Sequence, residues 1–216
     1  MGAVDTELLE VVRLEGLRGV IAQRLTESLR ESAQLTLHRD VDASALVGLR
    51  ESTAPRPSFN DLVLFVVSRA LPRHPHLNAT LEDSTISRWR PVHLGTAVAI
   101  EDGLVVPVIR NADRLGLTEL QAEAARLHAL ARDRKLAMAD ITGGTFTVTN
   151  LGAFGIDGFT PILNPPQVGI LGVGRVRSDG TMTLSLTIDH RALDGVPGAR
   201  FLEELAQLFA EPAEWM

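Results

Sequence analysis

The chain has 216 residues and a formal charge of −6, from 21 Lys and Arg against 27 Asp and Glu. It has no cysteine, which excludes a disulfide framework, a thiolate metal site, an iron–sulfur cluster and a cysteine nucleophile. The acidic balance, without a long basic run, argues against nucleic-acid binding, which needs a cationic footprint.

The longest strongly apolar stretch, 62–67, is far below the roughly 20 residues that span a bilayer, so no membrane partner is expected. The opening MGAVDTELLEVV has no basic segment ahead of an apolar one and does not read as a signal peptide. Gly2 and Thr6 formally match the N-myristoylation pattern, which is short.

In chain order, 17–33 puts Val20, Ile21, Leu25 and Leu29 on one face at helical spacing. Alternation over 34–41 predicts a strand, and 42–50 a short helix with Asp42 as N-cap. The prolines of 52–58 mark a loop. Ser58 and Asn60 are caps for an apolar helix over 60–71, which Pro72 and Pro75 end. Residues 92–100 read as a strand, Glu101-Asp102-Gly103 as a turn, and 104–110 as the returning strand, with Pro107 marking an edge or a bulge. The clearest amphipathic helix is 118–138, with Thr118 as cap and Leu120, Ala124, Leu127 and Leu130 as its stripe. Strands follow at 143–152, 166–176 and 181–190, with a tight turn at Ser178-Asp179-Gly180, and 198–209 closes the chain as a helix. Strands and helices interleave without a regular βαβ rhythm, so the fold class is α/β with a mixed sheet.

Asp189-His190-Arg191-Ala192-Leu193-Asp194-Gly195 sits where a strand gives way to a turn, a common place for catalytic groups. The five fixed residues of D-H-R-x-x-D-G arise by chance in a chain of this length on the order of once in ten thousand, from average residue usage. The remaining patterns are weaker. His74 and His76 lie in a proline loop and do not make a zinc site. Gly169, Gly172 and Gly174 stand inside a strand, the wrong place for a dinucleotide fingerprint. His38, His93 and His128 have no constellation and read as structural or exposed.

D-H-R-x-x-D-G, with LRGVIAQRLTESL (17–29), GLVVPVIRNAD (103–113), TGGTFTVTNLGAFGIDGFTPILNPPQVGILGVG (142–174) and LSLTIDHRALDG (184–195), resembles the catalytic, inner-core domain of the dihydrolipoamide acyltransferases. These are the E2 components of 2-oxo acid dehydrogenase complexes, related to chloramphenicol acetyltransferase. The resemblance covers about 14–210. It implies a chloramphenicol acetyltransferase-like two-layer sandwich, with helices packed on a mixed sheet. It divides the chain into an N-terminal linker or extension, 1–13, and an acyltransferase domain, 14–216, without lipoyl and peripheral-subunit-binding domains.

The implied activity moves an acyl group between S-acyl-dihydrolipoamide and coenzyme A, with coenzyme A as substrate, the lipoyl group supplied by another domain or chain, and no metal. His190 matches the family's general base, Thr149 the hydroxyl that meets the oxyanion, and Asp194 the supporting carboxylate. Arg50 matches a position offered to the phosphates of coenzyme A. Arg191 and Gly195 read as structural. The resemblance also implies a homotrimer with His from one chain and hydroxyl from its neighbour, built further into hollow cores of twenty-four or sixty chains. E1 and E3 would be reached only through the missing domains. The expected location is the bacterial cytoplasm or the mitochondrial matrix.

Rival readings are a stand-alone acyltransferase with another acceptor, and a scaffold core without catalysis. Two departures stand out: Phe65 occupies a position where the family commonly has Lys, and the segment between Thr149 and His190 is about ten residues short, near 175–183. Thr at 149 leans toward succinyl relatives and LGAFG the other way, so the acyl group is not readable.

Overall fold

The computed structural model describes residues 8–101 and 103–212. Gly2, Thr6 and Asp102, which enter the lipidation pattern and the predicted turn, lie outside them. The chain opens with α1 (Gly16–Glu31), β1 (Gln34–Asp42), α2 (Ser44–Ser52) and α3 (Phe59–Ala70). Six short strands follow: β2 (Ala79–Glu82), β3 (Thr85–Arg88), β4 (Leu94–Thr96), β5 (Val98–Ile100), β6 (Gly103–Val105) and β7 (Val108–Ile109). Then come α4 (Leu117–Arg132), α5 (Met138–Ile141), β8 (Phe146–Asn150), β9 (Gly169–Val173), β10 (Thr181–Asp189) and α6 (Gly195–Ala210).

The main sheet has six strands in the order β1-β10-β9-β8-β4-β7. β8 runs parallel to both β4 and β9, and the remaining pairs are antiparallel. The sheet is therefore mixed, as the interleaved pattern predicts. Along β10, Leu184, Leu186 and Ile188 enter the core with Phe146 and Val148 of β8, and meet Leu62 and Val66 of α3 and Phe201 and Leu205 of α6. The alternate residues face the other way, because side chains of a strand alternate between faces. That second face is polar. Thr36 and Thr187 share a hydrogen bond of 2.8 Å, and His38 Nδ1 meets Ser185 Oγ at 2.9 Å. Phe159 and Pro161 lie against it at Gly172, and Ser28 of α1 donates to the Leu163 carbonyl at 2.8 Å.

α3 is apolar on nearly every side and accordingly buried. Its start is fixed by a capping box: Asp61 N–H donates to Ser58 Oγ at 3.0 Å, and Ser58 N–H donates to Asp61 Oδ2 at 2.8 Å. Ser58 is thus the cap, whereas Asn60 lies inside the helix. Phe65 is in the core, with the Arg69 guanidinium 4.1 Å above its ring. Arg69 also donates to the carbonyls of Asp113 and Leu115, tying α3 to the turn before α4.

Four readings need refinement. The apolar face of 17–33 forms as read, but within the chain Val20, Leu25 and Leu29 stay exposed, Ile21 is half-buried, and Ser28 is the buried residue of α1. The strand over 92–100 breaks at Ala97. β4 stays in the main sheet, while β5 turns away to pair with β6. Pro107 separates β6 from β7, an edge strand, as its missing N–H requires.

The third refinement concerns the long amphipathic helix. α4 starts at Leu117, where Gly116 N–H is taken by Glu119 rather than by Thr118, and it stops at Arg132. Arg134 is left-handed at φ 58°, with Arg134 N–H bonded to Ala131 and Lys135 N–H to Leu130, a Schellman ending. Leu120, Ala124 and Leu127 form the buried stripe, while Leu130 is half-buried. Last, α2 begins at Ser44 with Ala43 in the N-cap position, and Asp42, one residue earlier, accepts Ser44 N–H at 2.8 Å.

Close backbone approach shapes the end of β9. A Cβ at Gly174 would lie 1.9 Å from the Asp157 carbonyl oxygen. Gly174→Ala therefore forces two backbones apart. The expected loss is about 1–3 kcal/mol, read as a lower urea midpoint at unchanged slope.

Candidate active site

The His190 turn is built around a buried carboxylate. β10 ends at Asp189, whose side chain is only 5% exposed. Its Oδ1 accepts Ala33 N–H at 3.3 Å, Arg191 N–H at 3.1 Å and Arg191 Nε at 3.0 Å. Its Oδ2 accepts Arg191 Nη2 at 2.7 Å. Two backbone bonds complete the turn: His190 N–H to the Ala33 carbonyl at 2.8 Å, and Ala192 N–H to the Asp189 carbonyl at 2.9 Å. These hold the backbone on either side of His190 and leave the imidazole, 44% exposed, facing outward.

Asp194 comes next, as the N-cap position of α6. Its Oδ1 is 3.8 Å from His190 Nδ1, outside hydrogen-bond reach, and its side chain is 87% exposed. The carboxylate that fixes the turn is Asp189, which sequence reasoning misses although it opens the motif. Arg191, read as structural, is its ion-pair partner. A cleft of about 670 Å³ runs beside the turn, between α1, the β2–β3 hairpin and 163–167, with Asp189 and Arg191 in its wall.

Thr149 lies elsewhere in the chain. It is the fourth residue of β8 and half-buried. Thr149 pairs with Gly172 and Gly172 with Ser185, so it stands two strands from β10 and level with Ser185. His190 is five residues further on. With about 3.3 Å per residue and 4.8 Å per strand, the two side chains are roughly 15–20 Å apart. One chain does not bring them together.

Thr149 and Thr147 share the second face of the sheet, but Thr147 donates to Gln167 Oε1 at 2.6 Å inside it. Asn150 points to the helical layer. Its Nδ2 donates to Asn60 Oδ1 at 3.2 Å, and its Oδ1 accepts Gly152 N–H at 2.8 Å.

Arg50 is in the last turn of α2, and its Nε donates to the Pro57 carbonyl at 3.0 Å. Pro57 leads directly into α3 and Asn60, so Arg50 belongs to the Thr149 end and not to the His190 end. Three other histidines, His93, His74 and His128, are engaged locally. His93 Nδ1 accepts Asn111 N–H at 3.2 Å, and burial, then the Arg110 charge, pushes its pKa down. His74 Nε2 meets Glu204 at 2.6 Å. Burial lowers the pKa of His128, which lies beside Thr96. Among the described residues no group of three or more His, Asp or Glu is placed to hold a metal ion.

The chain matches the family model of the 2-oxoacid dehydrogenases acyltransferase catalytic domain over residues 7–216. It is 42% identical, over 97% of its length and 58% of the relative's, to the Bacillus subtilis dihydrolipoyllysine-residue acetyltransferase component of an acetoin cleaving system. It is 39% identical, over 94% of its length and 54% of the relative's, to a Bartonella vinsonii dihydrolipoyllysine-residue succinyltransferase component of a 2-oxoglutarate dehydrogenase complex. The chain thus spans a little over half the length of these curated relatives. Its structure matches the cubic core of a pyruvate dehydrogenase multienzyme complex at TM-score 0.91 and 33% identity, covering 100% of this chain and 98% of that one. Chloramphenicol acetyltransferase shares the fold at TM-score 0.58 and 15% identity, over 87% of this chain and 94% of that one.

The Asp189 carboxyl titrates against two opposed effects. Burial drives it upward, but the Arg191 side-chain bonds, with the N–H groups of Arg191 and Ala33, outweigh burial and hold it below the usual carboxylate range. A group depressed on folding contributes stability that is full above its unfolded pKa of about 3.9 and is lost as pH falls through the folded value. Asp189→Asn is expected to cost about 1–2 kcal/mol at pH 7, since Arg191 is partly solvated. The difference from wild type should shrink progressively as pH falls below the unfolded pKa of about 3.9 and the carboxylate is protonated, which urea denaturation across the acid range measures.

Proposed function

The chain belongs to the catalytic-domain family of the 2-oxoacid dehydrogenase acyltransferases, and we propose that it moves an acyl group between S-acyl-dihydrolipoamide and coenzyme A. The observation that carries this reading is the exposed His190 imidazole, held on a turn whose backbone is pinned on both sides by Asp189. A coenzyme A thiol, near pKa 8.5, is mostly protonated at neutral pH, whereas an ordinary imidazole, near 6.5, accepts a proton. His190 takes the thiol proton as the sulfur attacks the thioester carbonyl. The tetrahedral oxyanion receives a hydrogen bond from the Thr149 hydroxyl. Collapse breaks the bond to the lipoyl sulfur, which leaves as a thiolate and takes the proton from the imidazolium. Asp194 stands near the imidazole as an exposed carboxylate, 3.8 Å from its Nδ1, and Arg50 offers a cation toward the coenzyme A phosphates. The lipoyl group arrives on another domain or chain.

Because Thr149 and His190 of one chain are too far apart to share a carbonyl, the site forms between copies in a homotrimer. The exposed Val20, Leu25 and Leu29 of α1 support association, as does the likeness to a subunit of a cubic core. Trimers then build a larger core in the cytoplasm or mitochondrial matrix. The acyl group follows from pocket shape, since an acetyltransferase and a succinyltransferase are similarly close in sequence.

The first test is transfer from a panel of acyl-coenzyme A donors to free dihydrolipoamide. His190→Ala should cost about 10²–10⁴-fold in kcat, and Thr149→Val about 10²–10³-fold. No turnover by assembled wild type, or turnover only with amine or hydroxyl acceptors, would refute the reading. Mixing tests the shared site. His190→Ala and Thr149→Val chains, refolded together in equal amounts, should regain about a quarter of wild-type activity, because random cyclic pairing restores that share of sites. Equal inactivity of the mixture and of each variant alone would place both groups in one chain's site.

A further inference from the structure

Thr149 needs a fixed strand end. An oxyanion donor is effective only when it sits about 2.7–3.1 Å from the developing charge. The Thr side chain is stiff at χ1, so its hydroxyl goes where the backbone puts it. Thr149 is the penultimate residue of β8, and strand pairing to β9 ends at Asn150 with Val173. This end is held by Leu151 N–H, which donates to the Val173 carbonyl at 3.1 Å, and by the side chain of Asn150, one residue on from Thr149 and pointing to the opposite face.

Asn150 is fixed at both of its side-chain atoms. Its oxygen takes Gly152 N–H at 2.8 Å, and this assigns the amide: the nitrogen must face Asn60, whose Oδ1 accepts it at 3.2 Å. Asn60 is a firm anchor, because it stands in the first turn of α3 between Ser58 and Asp61, the two members of the capping box. The loop before that turn is held in turn by Arg50 through Pro57. A continuous run therefore leads from the cation offered to coenzyme A, through the start of α3, to the residue beside Thr149.

We propose that Asn60 is a positioning residue: through its hydrogen bond to Asn150 it sets the Thr149 hydroxyl for the oxyanion. The proposal rests on Thr149 being the donor. Asn60 touches no reacting atom, and its effect belongs to kcat rather than to substrate binding. Losing one neutral hydrogen bond of this kind corresponds to about a 3–10-fold change.

The test is a set of variants assayed as assembled protein with saturating acyl-coenzyme A and dihydrolipoamide. Asn60→Ala should lower kcat about 3–10-fold, with each KM within about twofold. Asn60→Asp keeps an acceptor for Asn150 and should restore most of the rate. In a Thr149→Val background, Asn60→Ala should cost nothing further, because the group it positions is already gone. Asn60→Leu, close to Asn in size and without an acceptor, should match Asn60→Ala and serves where that variant does not assemble.

Full activity of Asn60→Ala and Asn60→Leu beside a slow Thr149→Val would overturn the proposal and leave the donor reading intact. Equal losses from Asn60→Ala with and without Thr149 would also overturn it, as a general structural effect. A wild-type rate for Thr149→Val would remove the donor reading and this inference with it.

Discussion

The Asp189 carboxylate joins three parts of the molecule that are far apart in sequence. It ends β10, takes an N–H from the α1–β1 junction at Ala33, and holds Arg191 at the approach to α6. A carboxylate with its side chain 5% exposed is costly unless its lone pairs are filled. Here they are filled by two backbone N–H groups and a guanidinium. The turn that carries His190 has little freedom left, although the imidazole itself reaches solvent. Rigidity of the backbone and accessibility of the ring come from the same arrangement.

A second consequence is the orientation of β10. Asp189 is pinned on the second face, which commits Thr187, Ser185 and Thr183 to that face and Ile188, Leu186 and Leu184 to the core. A slip of one residue would reverse every one of these. The alternation of Thr and Ser with apolar residues is therefore legible in the amino-acid order of this strand alone. So is the His190 motif, because its residues are contiguous. α3 is legible for a similar reason, since its cap and apolar run are local, and α6 by its apolar face, although it begins at Gly195, three residues before the pattern at 198.

What is not legible depends on contacts across long separations. The link from Asn150 to Asn60 spans 90 residues, and neither side chain has a periodic signal. Asn60 reads as a helix cap, since position and type fit, yet Ser58 takes that role and frees Asn60 for β8. The β2–β3 hairpin gives no sequence signal because its turn uses Asp83 and Ser84, at φ 45° and 65°, without the glycine that usually marks such a turn. The pattern of α4 runs six residues past its true end because an arginine, not a glycine, adopts the left-handed ending at Arg134. The apolar face of α1 is legible as a pattern, but the pattern is silent on whether its partner lies within the chain.

That last point bears on the division of the site. Thr149 sits mid-sheet on β8, where neighbouring strands fix its register, and His190 sits past the end of β10. No reasonable motion within this sheet closes a gap of roughly 15–20 Å, because the paired strands between them are buried and hydrogen-bonded along their length. Each half of the proposed chemistry is therefore built rigidly on its own support: the base on the Asp189 turn, the donor on the Asn150 anchor. A site assembled from two such halves gains its precision from the interface that brings them together. Under the proposed division, catalysis would depend on association as strictly as on the side chains themselves, and the exposed Val20, Leu25 and Leu29 of α1 are apolar surface open to such an association.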